Sequence, residues 1–262
     1  MKLFAGCEIT YDASAPTPLI FMLRPRSGLG QWVFGEEYLL EPTVPVTEYS
    51  DSYGNLCQRL VVPQGSFRIR ATASVATADH IDVQPGAPFV PVQNLPDNVL
   101  QFLLPSRYCQ SDQMGDRAQE IVGDSQLGYD QVEAICRWIH SNVEYCYGTS
   151  DASTSAVDTA QQRIGVCRDF AHLGIALCRS LNIPARMVVG YLYQLDPMDL
   201  HAWFEAFVGD RWYTFDATQE QPRGNRIAIA YGRDAADVAL ATQFGPLQLT
   251  QMQVWVNPCE PI

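Results

Sequence analysis

The spacing of apolar residues predicts a β-rich first third of the chain. Between residues 67 and 75 every second position is apolar, the pattern of a strand with one buried face: Phe67, Ile69, Ala71, Ala73 and Val75. Similar apolar runs are separated by proline and glycine at 19–23, 32–40 and 56–62. Residues 51–55 have the composition of a hairpin turn. We therefore expect an antiparallel β unit before residue 84.

A proline-rich segment separates this unit from the rest of the chain. Residues 84–98 contain four prolines, which favour extended backbone and remove hydrogen-bond donors from a sheet. We place a domain boundary in this segment. The predicted organisation is a β-rich domain at 1–95 and a second domain at 96–262.

The apolar period changes to that of helices after the boundary. Apolar side chains three and four residues apart predict helices at 112–122 and 129–143, both packing beside a third helix. That third helix begins near Cys167 and ends before Pro184. Strand patterns follow at 185–193, 199–208, 211–216, 227–231 and 247–256. The second domain is thus predicted to be α+β, with helices first, antiparallel strands after them, and an extent that reaches the chain end.

Charge and composition narrow the classes of function. The formal net charge of -12 and the pI near 4.6 disfavour binding to nucleic acid or to anionic membranes. We find no stretch as long as a transmembrane helix and no apolar signal segment at the N-terminus, so we expect a cytoplasmic protein. The eight cysteines lack the spacing of a small disulfide scaffold, and we expect them to be reduced.

Cys167 is the first candidate for chemistry. Unpaired backbone N–H groups and the positive end of the helix dipole favour an anion at a helix start, so this thiol is expected to ionise more readily than a free cysteine. The alternative is that Cys167 is a small buried apolar residue.

A hairpin supplies two possible partners for the thiol. Gly209 and Asp210 form a two-residue loop between two aromatic-rich strands. That loop pairs Trp203 with Asp216, and alternation places His201 on the face of Trp203. His201 and Asp216 are therefore expected to be diagonal neighbours on one face. A thiol, an imidazole and a carboxylate are the groups needed for a nucleophile, its base and the group that orients the base.

These motifs resemble the core of the bacterial transglutaminase-like superfamily. The matching segments are Gly-Val-Cys-Arg-Asp-Phe at 165–170, Pro-Ala-Arg at 184–186, Gly-Tyr at 190–191, His-Ala-Trp at 201–203 and Phe-Asp-Ala-Thr at 215–218. The resemblance implies a papain-like core of helices packed on an antiparallel sheet, preceded by a β-rich N-terminal domain. It also implies Cys167 as nucleophile, His201 as general base and acid, and Asp216 as the orienting group. One departure is Ala217, where family members commonly carry proline.

The activity implied by the resemblance is that of a thiol protease or amidase. Such a cysteine hydrolase cleaves an amide bond of a peptide or protein through a thioester acyl-enzyme, without a cofactor or metal. One alternative is a protein-glutamine transglutaminase, in which an amine replaces water as acceptor. Another is an inert binding module of the same fold. The polar segment 148–160 suggests no apolar cover that would exclude water, so we expect hydrolysis to dominate.

Two residues near the thiol allow other interpretations. His172 could be proposed as the base, but the five positions that separate it from Cys167 advance a helix by more than one turn and direct the side chains differently. Packing or capping is the alternative role for His172. Arg168 could hold the thiolate as a neighbouring cation, or cover apolar surface with its stem.

A zinc site and the oxyanion donor are the remaining open points. A zinc site would need four converging ligands, and the candidate set is Cys136, His140, Cys146 and Cys178. Helical packing already explains Cys136. The hydroxyls of Tyr145 and Tyr147 could donate to an oxyanion, but for that role we favour the backbone N–H of Cys167.

Overall fold

The computed structural model describes residues 1–28 and 30–259, and its first part is built of strands. In chain order these are β1 (Lys2–Ala13), β2 (Thr17–Arg24), β3 (Gln31–Glu41), β4 (Thr47–Ser50), β5 (Leu56–Val62) and β6 (Gly65–Thr77). Strands β1, β6 and β3 are neighbours in one sheet, and β2, β5 and β4 are neighbours in another. The predicted β-rich N-terminal region is confirmed.

The core of this region follows from the alternation in β6. All five of its predicted inward residues are at most 3 % exposed. The first half of β6 packs against Leu19, Phe21 and Leu23 of β2. Strand β1 was not predicted, because small residues such as Ala5 and Gly6 weaken its apolar pattern. Its inward side chains are nevertheless buried in the same way.

The second part of the chain combines helices with an antiparallel sheet. Its elements are α1 (Asp97–Leu100), α2 (Gly115–Val122), α3 (Tyr129–Asn142), β7 (Glu144–Tyr145), α4 (Ala156–Gln162), β8 (Ile164–Gly165), α5 (Cys167–Ser180), β9 (Ala185–Leu192), β10 (His201–Val208), β11 (Arg211–Phe215), β12 (Arg226–Gly232), β13 (Ala241–Gln243) and β14 (Leu247–Pro258). The sheet has the order β11-β10-β9-β12. Helix α5 packs on β9 and β10, with α2 and α3 beside it as predicted. The α+β class is confirmed.

The last two strands pair with the first two strands of the chain. Strand β14 pairs with β1, and β13 pairs with β2. The apolar pattern of 247–256 identifies a strand without identifying its neighbour. Strand β6 pairs with one edge of β1, and β14 satisfies the backbone groups of the other edge. The boundary near residue 95 stays a prediction.

Two amide side chains of the N-terminal region bind the edge of β12. The Gln31 amide donates to the carbonyl of Ala228 and accepts its N–H, each at 2.8 Å. The Asn55 amide does the same to Tyr231, again at 2.8 Å for both bonds. Each amide therefore replaces one residue of a missing neighbouring strand and joins the β-rich region to the sheet.

No helix within 1–28 and 30–259 is long and apolar enough to cross a membrane. The expectation of a cytoplasmic protein stays a prediction.

Candidate functional site

The start of α5 fixes the position of Cys167. Cys167 is the first residue of the helix, and Val166 before it is extended. The buried carboxylate of Asp169 accepts the backbone N–H of Val166 at 2.9 Å, which caps the helix. Residue 165 must be glycine, because a Cβ there would lie 2.8 Å from the Cβ of Asp169. The motif around Cys167 thus holds the thiol at the helix N-terminus.

Arg168 anchors a loop. Its guanidinium donates to the Ser150 hydroxyl at 2.6 Å and to the carbonyl of Asp151. It also lies 3.3 Å from the Asp169 carboxylate. The segment before α4 is therefore tied to the start of α5 by the residue that follows the thiol. The sequence suggested a cation for the thiolate or a cover for apolar surface, and neither of these roles predicts the contact with the loop.

The hairpin brings His201 and Asp216 together as its register predicts. The observed pairs run from Val208 with Arg211 to Phe204 with Phe215, and Asp216 follows directly after β11. The His201 Nε2 lies 2.7 Å from the Asp216 Oδ2, and both side chains are buried. The acid is in place although Ala217 stands where the family commonly has proline.

The electrostatics of this pair favour a charged imidazole. Burial would lower the pKa of His201, but the Asp216 carboxylate and the nearby Cys167 side chain raise it to about 9. Because the Nε2 of His201 is bound to Asp216, its Nδ1 is the ring nitrogen left for the thiol.

Asp216 stays ionised because several donors surround it. Burial opposes its ionisation, but Arg226, His201 and Thr218 hold the pKa of its carboxyl well below the usual value. The Nη2 of Arg226 lies 2.8 Å from Oδ2, and the Thr218 hydroxyl donates to Oδ1 at 2.7 Å. Sequence reasoning missed Arg226, since nothing in its local pattern distinguishes it from the other arginines.

Tyr145 lies beside the thiol. Burial and the neighbouring Cys167 raise the pKa of Tyr145 far above its usual range, so its hydroxyl keeps its proton. The Tyr145 ring packs against Phe170, with ring centroids 5.7 Å apart, and edge-on against Tyr147 at 5.4 Å. Tyr147 is half exposed.

His172 and the proposed zinc ligands have other roles. His172 is fully buried, stacks on Tyr108 at 5.1 Å and accepts the backbone N–H of Ala235 at 3.1 Å. Burial lowers the pKa of His172 to about 3, so it is a neutral packing residue. His140 donates from Nδ1 to the Ala217 carbonyl at 3.0 Å. Within 1–28 and 30–259, no three His, Cys, Asp or Glu side chains form a group that could hold a metal ion.

All eight cysteines are free, and four of them are fully buried. The buried ones are Cys7, Cys57, Cys109 and Cys178. Cys167 belongs to the partly exposed group, together with Cys136, Cys146 and Cys259. Burial therefore does not separate Cys167 from solvent as it does the four buried cysteines.

Comparison with known proteins gives one family and several relatives. Residues 115–217 match the model of the transglutaminase-like superfamily. The crystal structure of "a Putative Cysteine Protease from Cytophaga hutchinsonii" is 40% identical, with a TM-score of 0.92, and the match covers 100% of this chain and 92% of that one. An uncharacterized protein of Mycobacterium leprae is 27% identical over 230 residues, which are 83% of this chain and 82% of the relative. One from Mycobacterium tuberculosis is 25% identical over 250 residues, covering 82% and 77%.

The arrangement as a whole is suited to nucleophilic chemistry. A thiol stands at a helix N-terminus, an imidazole lies beside it, and a buried carboxylate holds the far nitrogen of that imidazole. Such a set can ionise a thiol, attack a carbonyl carbon and return a proton to a leaving group.

Proposed function

Because this chain belongs to the transglutaminase-like superfamily, we propose that it is a cysteine hydrolase that cleaves amide bonds of peptides or proteins. The transglutaminase-like family match and the Cytophaga hutchinsonii relative, whose structure is that of "a Putative Cysteine Protease", together support a protease or transglutaminase type of function. The finer assignment is that Cys167 is the nucleophile, His201 the general base and acid, and Asp216 the group that orients His201.

One observation carries the proposal. The His201 Nε2 is bound to the buried Asp216 carboxylate at 2.7 Å, and Cys167 lies close enough to His201 to add to the rise in its pKa. An imidazole with a pKa of about 9 holds a proton at neutral pH. The neighbouring thiolate stabilises this charged imidazolium, and the leaving amine needs its proton.

The reaction follows from these roles. The Cys167 thiolate attacks the amide carbonyl carbon, and the backbone N–H of Cys167 donates to the oxyanion that forms. The C–N bond breaks as the His201 imidazolium gives its proton to the leaving amine, which leaves a thioester on Cys167. Neutral His201 then takes a proton from water, the resulting hydroxide attacks the thioester, and the acid and the free thiolate are released.

Water is the favoured acceptor in this proposal. A transferase must exclude water or bind its amine tightly, for which an apolar acceptor channel is suited. The segment before α4 is polar and its residues 151–153 are exposed, with Arg168 holding it in place. This supports hydrolysis over transfer to an amine.

A peptide library tests the proposal. Glutamine-containing peptides are incubated with the protein, with and without an excess of a primary amine, and the products are identified by mass spectrometry. Hydrolysis predicts free acids whose yield barely changes with added amine, and no product from Cys167→Ala. Predominant amine incorporation at modest amine concentration would show a transglutaminase instead. An absence of any product from the unmodified protein would support the inert binding module.

A further inference from the structure

Arg226 and His201 both contact the same oxygen of the Asp216 carboxylate. It is the first residue of β12, its side chain is 6% exposed, and its Nη2 lies 2.8 Å from the Asp216 Oδ2. The same Oδ2 lies 2.7 Å from the His201 Nε2. One oxygen thus contacts a permanent cation on one strand and the imidazole on another.

The guanidinium of Arg226 is itself held in a fixed orientation. Its Nε donates to the carbonyl of Arg223 at 2.9 Å. Its guanidinium carbon lies over the ring of Trp203, 5.0 Å from the ring centroid. Trp203 in turn lies next to His201 on β10, with 6.1 Å between their ring centroids. Arg226 therefore holds a permanent positive charge at a fixed place beside the Asp216 carboxylate.

We propose that Arg226 is a positioning residue, whose guanidinium fixes the Asp216 carboxylate so that its Oδ2 accepts the Nε2–H of His201. This inference rests on the proposed function, because it adds a member to the set formed by Cys167, His201 and Asp216. Arg226 acts through Asp216 and takes no part in bond making.

The other groups that face Asp216 bring no further cation to it. Thr218 donates its hydroxyl and its backbone N–H to the other oxygen, Oδ1, at 2.7 Å and 3.1 Å. Cys136 of α3 faces it, and burial together with Asp216 raises the pKa of Cys136 to about 12, so this thiol is neutral. His140 of α3 donates to the neighbouring Ala217 carbonyl. Within the described residues, the basic side chains paired with Asp216 are Arg226 and His201.

A second buried ion pair in the same sheet provides a matched control. Arg186 of β9 donates to Glu205 of β10 at 2.7 Å, and the two side chains are 12% and 13% exposed. This pair is buried to a similar extent, but its acid is not the partner of His201. If Arg226 only stabilised the sheet, loss of either arginine would have the same consequences.

The test compares Arg226→Met, Arg226→Lys and Arg186→Met. The titration of the Asp216 carboxyl is followed by carbon NMR, with its signal assigned from Asp216→Asn. Arg226→Met is expected to raise the midpoint by about 1–3 pH units, the effect of removing an adjacent cation. It should also lower kcat by about tenfold or more with little change in KM. Arg226→Lys should restore the low midpoint and most of the rate, and Arg186→Met should change neither.

Two results would overturn the inference. One is an Asp216 midpoint in Arg226→Met equal to that of the unmodified protein. The other is an equal loss of kcat in Arg226→Met and Arg186→Met. If Arg226→Met does not fold, Arg226→Gln removes the charge and keeps hydrogen-bond donors, with the same expectations. A protein that cleaves no amide would contradict the proposed function alone, because the carboxyl titration needs no substrate.

Discussion

Replacing Asp216 with asparagine removes the charge that holds His201, and the structure gives the size of the effect. The pKa of His201 is about 9 against an ordinary value of 6.5, although burial opposes the rise. Since one pKa unit corresponds to about 1.4 kcal/mol, Asp216 and Cys167 together favour the imidazolium by roughly 3 kcal/mol or more. In Asp216→Asn the pKa of His201 should therefore fall well below 9, because burial and Cys167 remain but the carboxylate charge is gone. Loss of that stabilisation, together with the wrong tautomer, predicts a decrease in kcat/KM on the order of 10²-fold or more.

The assay is a pH titration of the imidazole signals by proton–nitrogen NMR, which is practicable because the chain has four histidines. Activity on a cleaved peptide is measured in parallel. The matched control is Asp237→Asn, which removes a partly buried carboxylate bound to Arg233 and Tyr53 instead of to a histidine. That variant should leave the midpoint of His201 unchanged. A midpoint near 9 in Asp216→Asn, or a loss of activity below tenfold, would refute the reasoning.

Two further predictions concern stability. Asn55→Ala leaves the buried N–H and carbonyl of Tyr231 unpaired, so it should lower the free energy of unfolding, measured in urea, by about 1–3 kcal/mol. The control Asn98→Ala, at an exposed position, should change that free energy little. Equal effects of the two substitutions would contradict the role of Asn55 at the β12 edge. The folded protein holds His172 neutral, with a pKa of about 3, while the unfolded chain binds that proton below about 6.5. The unfolded state thus binds more protons, so stability should fall as the pH drops from 6.5 towards 3, and less steeply in His172→Gln. An unchanged slope in that variant would contradict the neutral burial of His172.

The parts of the site that were predictable are local in sequence. The helix start at Cys167 follows from apolar spacing, and its cap, Asp169, is two residues away. The contact between His201 and Asp216 follows from a two-residue loop, which fixes the register of every pair beyond it. Each of these features depends on interactions over a few residues or across one hairpin.

The missed features depend on contacts between distant segments. Arg226 reaches Asp216 from another strand of the sheet, and its own neighbourhood contains only the start of an apolar run. Strand β14 pairs with β1 at the opposite end of the chain, which an apolar pattern cannot specify. Helix α4 is different, because its start could have been predicted from the sequence. Ser155 and Asp158 form a capping box within the polar segment, and this pattern indicates the beginning of a helix.

Selective alkylation tests the central claim most directly. The protein is treated with a limited amount of iodoacetamide near neutral pH, and the modified cysteines are identified by mass spectrometry. Cys146 and Cys259 are partly exposed like Cys167, so the comparison with these two separates activation from access. The account predicts that Cys167 reacts first, and that His201→Ala slows its modification without slowing that of Cys146. Earlier modification of Cys146 or Cys259, or an unchanged rate at Cys167 in His201→Ala, would contradict it.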